Sequence, residues 1–229
     1  MKKLTVSMTK QEIILGYIFL ALQLTLLPSF LMLANMLMGN PFNDAQVNFI
    51  FFCVNFLCVT VIFRRFLIAN GKNALGNLWL CLQSAFFGFA LYWLMTMAVG
   101  MLIQFVYPDF FNVNDDSISQ LLEENSGLIR FGTVLLVPLT EEVLYRGLIF
   151  RGLYRRKPLA GYMISMFLFA ALHVVGYITM YEPIHLALCF LQYLPAGFCL
   201  AWAYARCDSI WAPILIHIAV NQIGTMSMR

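Results

Sequence analysis

Thr140-Glu141-Glu142-Val143-Leu144-Tyr145-Arg146-Gly147-Leu148-Ile149-Phe150-Arg151 sets two adjacent carboxylates and a guanidinium into a stretch, from about Ile129 to Tyr154, that otherwise reads as apolar. A membrane-spanning helix needs about 20 mainly apolar residues, and this stretch has that length. On insertion scales an acidic or basic residue midway along such a helix costs about 2.5–3.5 kcal/mol. Three of them in one span point to a site.

The rest of the chain has the same apolar character. Its 229 residues are 62% hydrophobic and 11% charged, with a mean hydropathy of +0.81. That is too apolar for one soluble domain, so the expected fold is all-α, a polytopic membrane protein of about seven transmembrane helices forming a single transmembrane domain, 1–229. Three N-terminal spans occupy 1–106. The first runs from about Gln11 to Met38, with Pro28 as an expected kink and Gly39-Asn40-Pro41 as its end. The second covers about Gln46 to Ile68 and is followed by an expected turn at Asn70-Gly71-Lys72; the third covers about Leu75 to Val106. A four-helix core, 129–229, follows: the span already quoted, then about Leu159 to Thr179, Pro183 to Ala205 and Ile210 to Met226. Pro195-Ala196-Gly197 should weaken the middle of the sixth span and let a neighbour approach closely.

Between the two halves, 107–128 is the one extended polar stretch, with Asp109, Asp115, Asp116, Glu123 and Glu124. Ile118, Leu121 and Leu122 have helical spacing, which suits an amphipathic helix lying on the membrane surface; a solvated loop is the alternative.

Met1-Lys2-Lys3 is basic like a signal peptide, but the apolar stretch behind it is too long for one and reads as an uncleaved first span. The six cysteines contain no C-x-x-C and lie mostly in apolar segments, as small buried hydrophobes do. No basic tail or aromatic-basic interleave suggests nucleic acid.

Loop charges set an orientation. With seven spans, Lys2, Lys3 and Lys10, then Arg64, Arg65 and Lys72, then Arg151, Arg155, Arg156 and Lys157, then Arg206 all fall on one side. Asp44, the acidic stretch and Glu182 fall on the other. The positive-inside rule makes this an integral protein, expected in the cell membrane, with its N-terminus cytoplasmic and its C-terminus outside.

Within the fourth span, Glu142 and Arg146 are four apart and can pair along one helix face. Glu141 lies about 100° round the helix and needs another partner. Pro138, just before it, removes a backbone donor and leaves a carbonyl free. Two further polar intrusions are His173 in the fifth span, and His217 with Asn221 in the seventh. Counted at about 1.5 Å per residue from the basic side, Glu141 and His173 lie roughly 20 Å deep and His217 and Asn221 about 12–18 Å. These depths allow one cluster near the membrane core, expected to open toward the cytoplasmic side. His185, near the outer interface with no motif around it, reads as a helix-to-helix hydrogen bond.

A glutamate with two histidines and an asparagine on three helices admits two chemistries. Glu141 could activate a water while His173, His217 and Asn221 donate to a developing oxyanion. Alternatively Glu141, His173 and His217 could ligate zinc or another divalent metal with a position open for water. Either hydrolyses a peptide bond in lipid, with a small membrane-associated or lipidated peptide or protein as substrate. A non-catalytic immunity or regulatory protein that uses the cluster only to hold its helices is the competing reading. A cation transporter fits less well, because there is no inverted repeat and the polar groups all lie in the C-terminal half.

Glu141-Glu142-x-x-x-Arg146, Phe169-x-x-x-His173 and His217-x-x-x-Asn221, in this order, resemble the three-motif signature of the CPBP intramembrane proteases. That family includes the type II CAAX prenyl endopeptidases and the bacteriocin-processing or immunity proteins. The resemblance runs from about Arg130 to the C-terminus. It implies an all-helical glutamate-dependent protease, metal-dependent or metal-free. Glu141 would be the water-activating residue or a metal ligand, His173 and His217 its partners and Asn221 an oxyanion donor. Glu142 and Arg146 would orient and stabilise the motif.

Overall fold

The computed structural model describes residues 4–228, and among these helix is the only regular structure. Lys2 and Lys3 lie outside the described residues. A reciprocal cap starts α1 (Lys10–Leu37): Thr9 Oγ1 accepts the Glu12 N–H, and the Glu12 carboxylate accepts the Thr9 N–H at 2.7 Å. Asn43 and Gln46 repeat this device for α2 (Asp44–Ile62). Between them Gly39 (φ 84°) and Asn40 (φ 55°) turn left-handed and end α1, as glycine permits without steric cost.

The chain continues through α3 (Arg64–Gly76), α4 (Leu78–Val106) and α5 (Val113–Phe131). The next segment winds as a π-helix, π1 (Gly132–Leu136), then α6 (Val137–Glu141), a second π-helix, π2 (Glu142–Phe150), and α7 (Arg151–Tyr154). It ends with α8 (Pro158–Val174), a 3₁₀ turn (Val175–Tyr177), α9 (Pro183–Cys207) and α10 (Trp211–Ser227).

Among the described residues five helices are long and apolar enough to cross a membrane: α1, α2, α4, α8 with its 3₁₀ turn, and α9. The protein is an all-α, polytopic, integral membrane protein. The difference from seven has two sources. The expected fourth span is divided into π1, α6, π2 and α7, no piece of which approaches 20 residues, and α10 has 17 residues. Apolar side chains such as Leu26, Phe30, Phe86, Leu94 and Phe105 point outward, as they must when lipid is the solvent.

One local expectation changes. Asn70-Gly71-Lys72 is not a turn but lies inside α3. The Asn70 side chain donates to the Phe66 carbonyl at 3.0 Å and accepts the Ile210 N–H at 3.1 Å, so it supports its own helix and caps the start of α10. The 107–128 stretch is helical from Val113, where Asn112 Oδ1 accepts the N–H groups of Asn114 and Asp115 and starts α5. Leu122 is buried with Ala45 and Ile129, and α5 bends at Asn125 (φ −157°, ψ 86°). Both α1 and α9 run on through Pro28 and Pro195.

The chain direction gives the bundle two chemically different ends. At one end Thr5 N–H and Oγ1–H both donate to Asp208, and Glu12 Oε1 accepts the Phe66 N–H at 2.8 Å. Arg64, Arg65, Arg151, Arg155, Arg156 and Arg206 sit on the helix termini of this arginine end. The acidic end holds Asp44, α5 and Glu182, with Glu124 accepting the Ala45 N–H at 2.9 Å.

Glycines set the closest helix contacts. A Cβ on Gly197 would come within 2.7 Å of the Met166 Cα, so α8 and α9 touch backbone to backbone there. Gly197→Val should therefore lower the thermal midpoint of the purified protein by overpacking worth at least about 1–3 kcal/mol. Gly152→Ala, where a Cβ meets nothing within 4 Å, should leave the midpoint nearly unchanged.

Candidate active site

In π1 the Val137 N–H bonds the Gly132 carbonyl, five residues back. The next bond in that register would run from residue 138 to the Thr133 carbonyl, but residue 138 is proline and has no N–H. The Thr133 carbonyl instead accepts Asn221 Nδ2–H from α10 at 2.8 Å. The proline expected to free a carbonyl does so, and the freed oxygen orients Asn221.

Glu142 joins the same two segments one level deeper. Its Oε1 accepts Arg146 Nη1–H at 2.8 Å and His217 Nδ1–H at 2.9 Å, and both Glu142 and Arg146 are 0% exposed. The guanidinium also lies 4.2 Å from the centroid of the Phe169 ring. The expected Glu142–Arg146 pair is thus present, with His217 as a third member. Because its Nδ1 donates to a carboxylate, neutral His217 carries its lone pair on Nε2. That atom stands 4.0 Å from Glu141 Oε2, which is buried and has no hydrogen-bond partner within the protein.

His173 is held differently. Its Nδ1–H donates to the Phe169 carbonyl at 2.8 Å, and its ring stacks on Tyr193 with centroids 4.2 Å apart. Phe169 sits between the two histidines, 4.5 Å from the His173 ring and 6.0 Å from that of His217. Tyr193 O–H reaches Asn112 Oδ1 at 3.1 Å and Asp115 Oδ1 at 3.4 Å, and Asn112 Nδ2–H donates to Gln192 Oε1 at 2.6 Å. Burial pushes the Asp115 carboxyl above its ordinary value, opposed by the Tyr193 hydrogen bond.

Glu141, His173, His217 and Asn221 all line one cavity of about 490 Å³. Its wall continues to Asn112, the cap of α5, to Asp115 within α5, and to Thr225 and Ser227 at the end of α10. The cavity therefore runs from mid-bundle to the acidic end, not to the arginine end as expected. Depth counted along helices locates side chains but says nothing about which end is plugged. Here the plug is the packing of Leu4, Met8, Phe63 and Phe66 at the arginine end.

Among the described residues no group of three or more His, Cys, Asp or Glu side chains is gathered to hold a metal ion. Glu141 and His217 face each other, while His173 directs Nδ1 to a backbone carbonyl. His185 has the role expected of it, with Nε2–H donating to the Phe111 carbonyl at 2.9 Å. The polar wall of Asn112, Asp115, Gln192 and Tyr193 was not singled out from sequence. Gln192, a polar residue midway along an apolar helix, was the available signal.

Residues 124–223 match the family model described as type II CAAX prenyl endopeptidase Rce1-like. The resemblance read from the three motifs holds over that segment. It contains Glu141, Glu142, Arg146, His173, His217 and Asn221. Two curated relatives are similar to the chain. The "UPF0177 protein YxdF" of Lactococcus lactis subsp. lactis (strain IL1403) is 28% identical over 95 residues, 42% of this chain and 47% of that protein. The "Putative membrane peptidase YdiL" of Bacillus subtilis (strain 168) is 35% identical over 86 residues, 37% of this chain and 30% of that protein. The chain thus spans less than half the length of either relative. No solved structure matches it.

Removing the Arg146 charge leaves Glu142 buried with His217 as its remaining hydrogen-bond partner among the described residues. Arg146→Met should destabilise the protein by about 3–5 kcal/mol, read as a lowered denaturation midpoint or loss of folded protein in detergent.

Proposed function

We propose that the chain is an intramembrane endopeptidase that hydrolyses a peptide bond of a small membrane-associated or lipidated peptide or protein, with Glu141 as the base that activates water. The observation that carries this reading is the pair of acceptors facing each other at the cavity wall, Glu141 Oε2 and His217 Nε2, 4.0 Å apart. A water giving one proton to each at about 2.8 Å would sit off the line between them with an angle of roughly 90° at oxygen, and would turn its lone pairs into the cavity. As that oxygen bonds to the scissile carbonyl carbon, Glu141 takes a proton. When the C–N bond breaks, the proton passes to the leaving amine, giving a carboxylic acid and an amine.

Asn221 spends one N–H on Thr133 and has a second for the developing oxyanion. His173 has its neutral proton on the Phe169 carbonyl, so its Nε2 donates only when the ring is protonated. Asn221 is therefore the donor available in either state of the histidine. Glu142 and Arg146 act through His217, fixing its tautomer. The Rce1-like match and the Bacillus subtilis relative's name support hydrolysis as the reaction class.

By the positive-inside rule the arginine end, with the N-terminus, lies on the cytoplasmic side of the cell membrane. The cavity then faces the opposite side, and substrate reaches Glu141 from there.

Glu141→Gln keeps the shape of the side chain and removes the base. It should lower cleavage of a panel of quenched-fluorescent lipidated and unmodified peptides in liposomes by about 10²–10⁴-fold, with the denaturation midpoint of the protein preserved. Unchanged cleavage overturns the assignment, and a wild-type protein that cleaves none of the panel, with Glu141→Gln reducing stability, supports the non-catalytic reading. The mechanism is metal-free as written. Protein stripped with a chelator should retain its activity, whereas loss of activity with rescue by zinc would make Glu141 a ligand instead of a base.

A further inference from the structure

A second cavity, of about 410 Å³, lies at the arginine end and is lined by Ile13, Arg151, Gly152, Arg155 and Arg156. Arg151 is 5% exposed, yet its Nε and Nη2 have no hydrogen-bond partner within the protein. No carboxylate stands within ion-pair distance of Arg151, Arg155 or Arg156 among the described residues. Tyr204 and Asp208 act electrostatically in favour of the Arg151 cation, and Arg155 acts against it. One Asp208 oxygen is occupied by Thr5, and the other has no partner, so Asp208 does not satisfy the guanidinium. A buried cation with unused donors, beside two exposed ones, is an anion site without its anion's countercharge in the protein.

The setting selects the anion. Ile13 lies four residues beyond the Thr9 cap of α1, about 6 Å along the helix, in the first turns of a membrane span. From there Ile14 and Ile18 continue outward along α1 as an exposed apolar face of a membrane span. Gly152 leaves the approach open, because a Cβ there would meet nothing within 4 Å. We propose that this cavity binds the phosphate of an anionic phospholipid, with the three guanidinium groups on the headgroup and the acyl chains along the outer face of α1. Basic pockets between helices at the membrane boundary recognise lipid phosphates in this way.

The test uses the full chain purified in neutral detergent, with native mass spectrometry and the thermal midpoint as readouts. Phosphatidylglycerol should be retained and should raise the midpoint, and phosphatidylcholine should do neither. The Arg155→Gln/Arg156→Gln double variant, altered only at exposed positions, should bind phosphatidylglycerol about thirtyfold more weakly. Arg151→Gln should weaken it as well. Stabilisation by inorganic phosphate alone, equal to that by lipid, would overturn the lipid as occupant and leave a free phosphate in the same site. Equal retention of phosphatidylcholine, or retention of phosphatidylglycerol by the double variant at wild-type strength, overturns the site altogether.

Discussion

One carboxylate oxygen, Glu142 Oε1, accepts from a guanidinium on its own helix and from an imidazole on another, entirely out of contact with solvent. In water such a pair would be worth little, since both charges would already be hydrated. Inside a membrane protein the comparison differs, because each group alone carries a desolvation cost of several kcal/mol. The two charges offset one another, and the histidine then finds its Nδ1 position dictated. What the pair gives up in solvation it returns as orientation: His217 is left with one free nitrogen, and that nitrogen faces Glu141.

Around this centre the segment 132–154 is wound unlike any other part of the described residues. Two π-helical stretches flank a five-residue α-turn that ends on Glu141. π-turns inside helices recur at functional sites because the extra residue leaves backbone carbonyls free and re-aims side chains. Pro138 adds a missing donor to that pattern, and Asn221 uses the carbonyl so released. Phe169 completes the arrangement from α8, with the guanidinium over its ring, the His173 ring tilted against it and the His217 ring edge-on to it.

The sequence made much of this legible, and physical reasons separate what it showed from what it hid. Charges in an apolar helix are conspicuous, so Glu141, Glu142 and Arg146 stand out, and a spacing of four is enough to pair the last two. His173, His217 and Asn221 stand out for the same reason, and helix counting brings them to one depth. Asn70-Gly71-Lys72 looked like a turn because residue type alone suggests one, whereas the hydrogen bonds that keep it helical come from Phe66 and Ile210, one of them 140 positions away. The π-winding is equally hidden, since it leaves the composition of the segment unchanged. The polar wall of Asn112, Asp115 and Tyr193 needs α5 folded against α9, a contact that no local pattern encodes.

The segment 132–154 also joins the two ends of the bundle. Glu141 lies on the cavity that runs to the acidic end, and Arg151, ten positions on, opens α7 at the other. One continuous helical segment thus carries a residue of each cavity, Glu141 on one and Arg151 on the other.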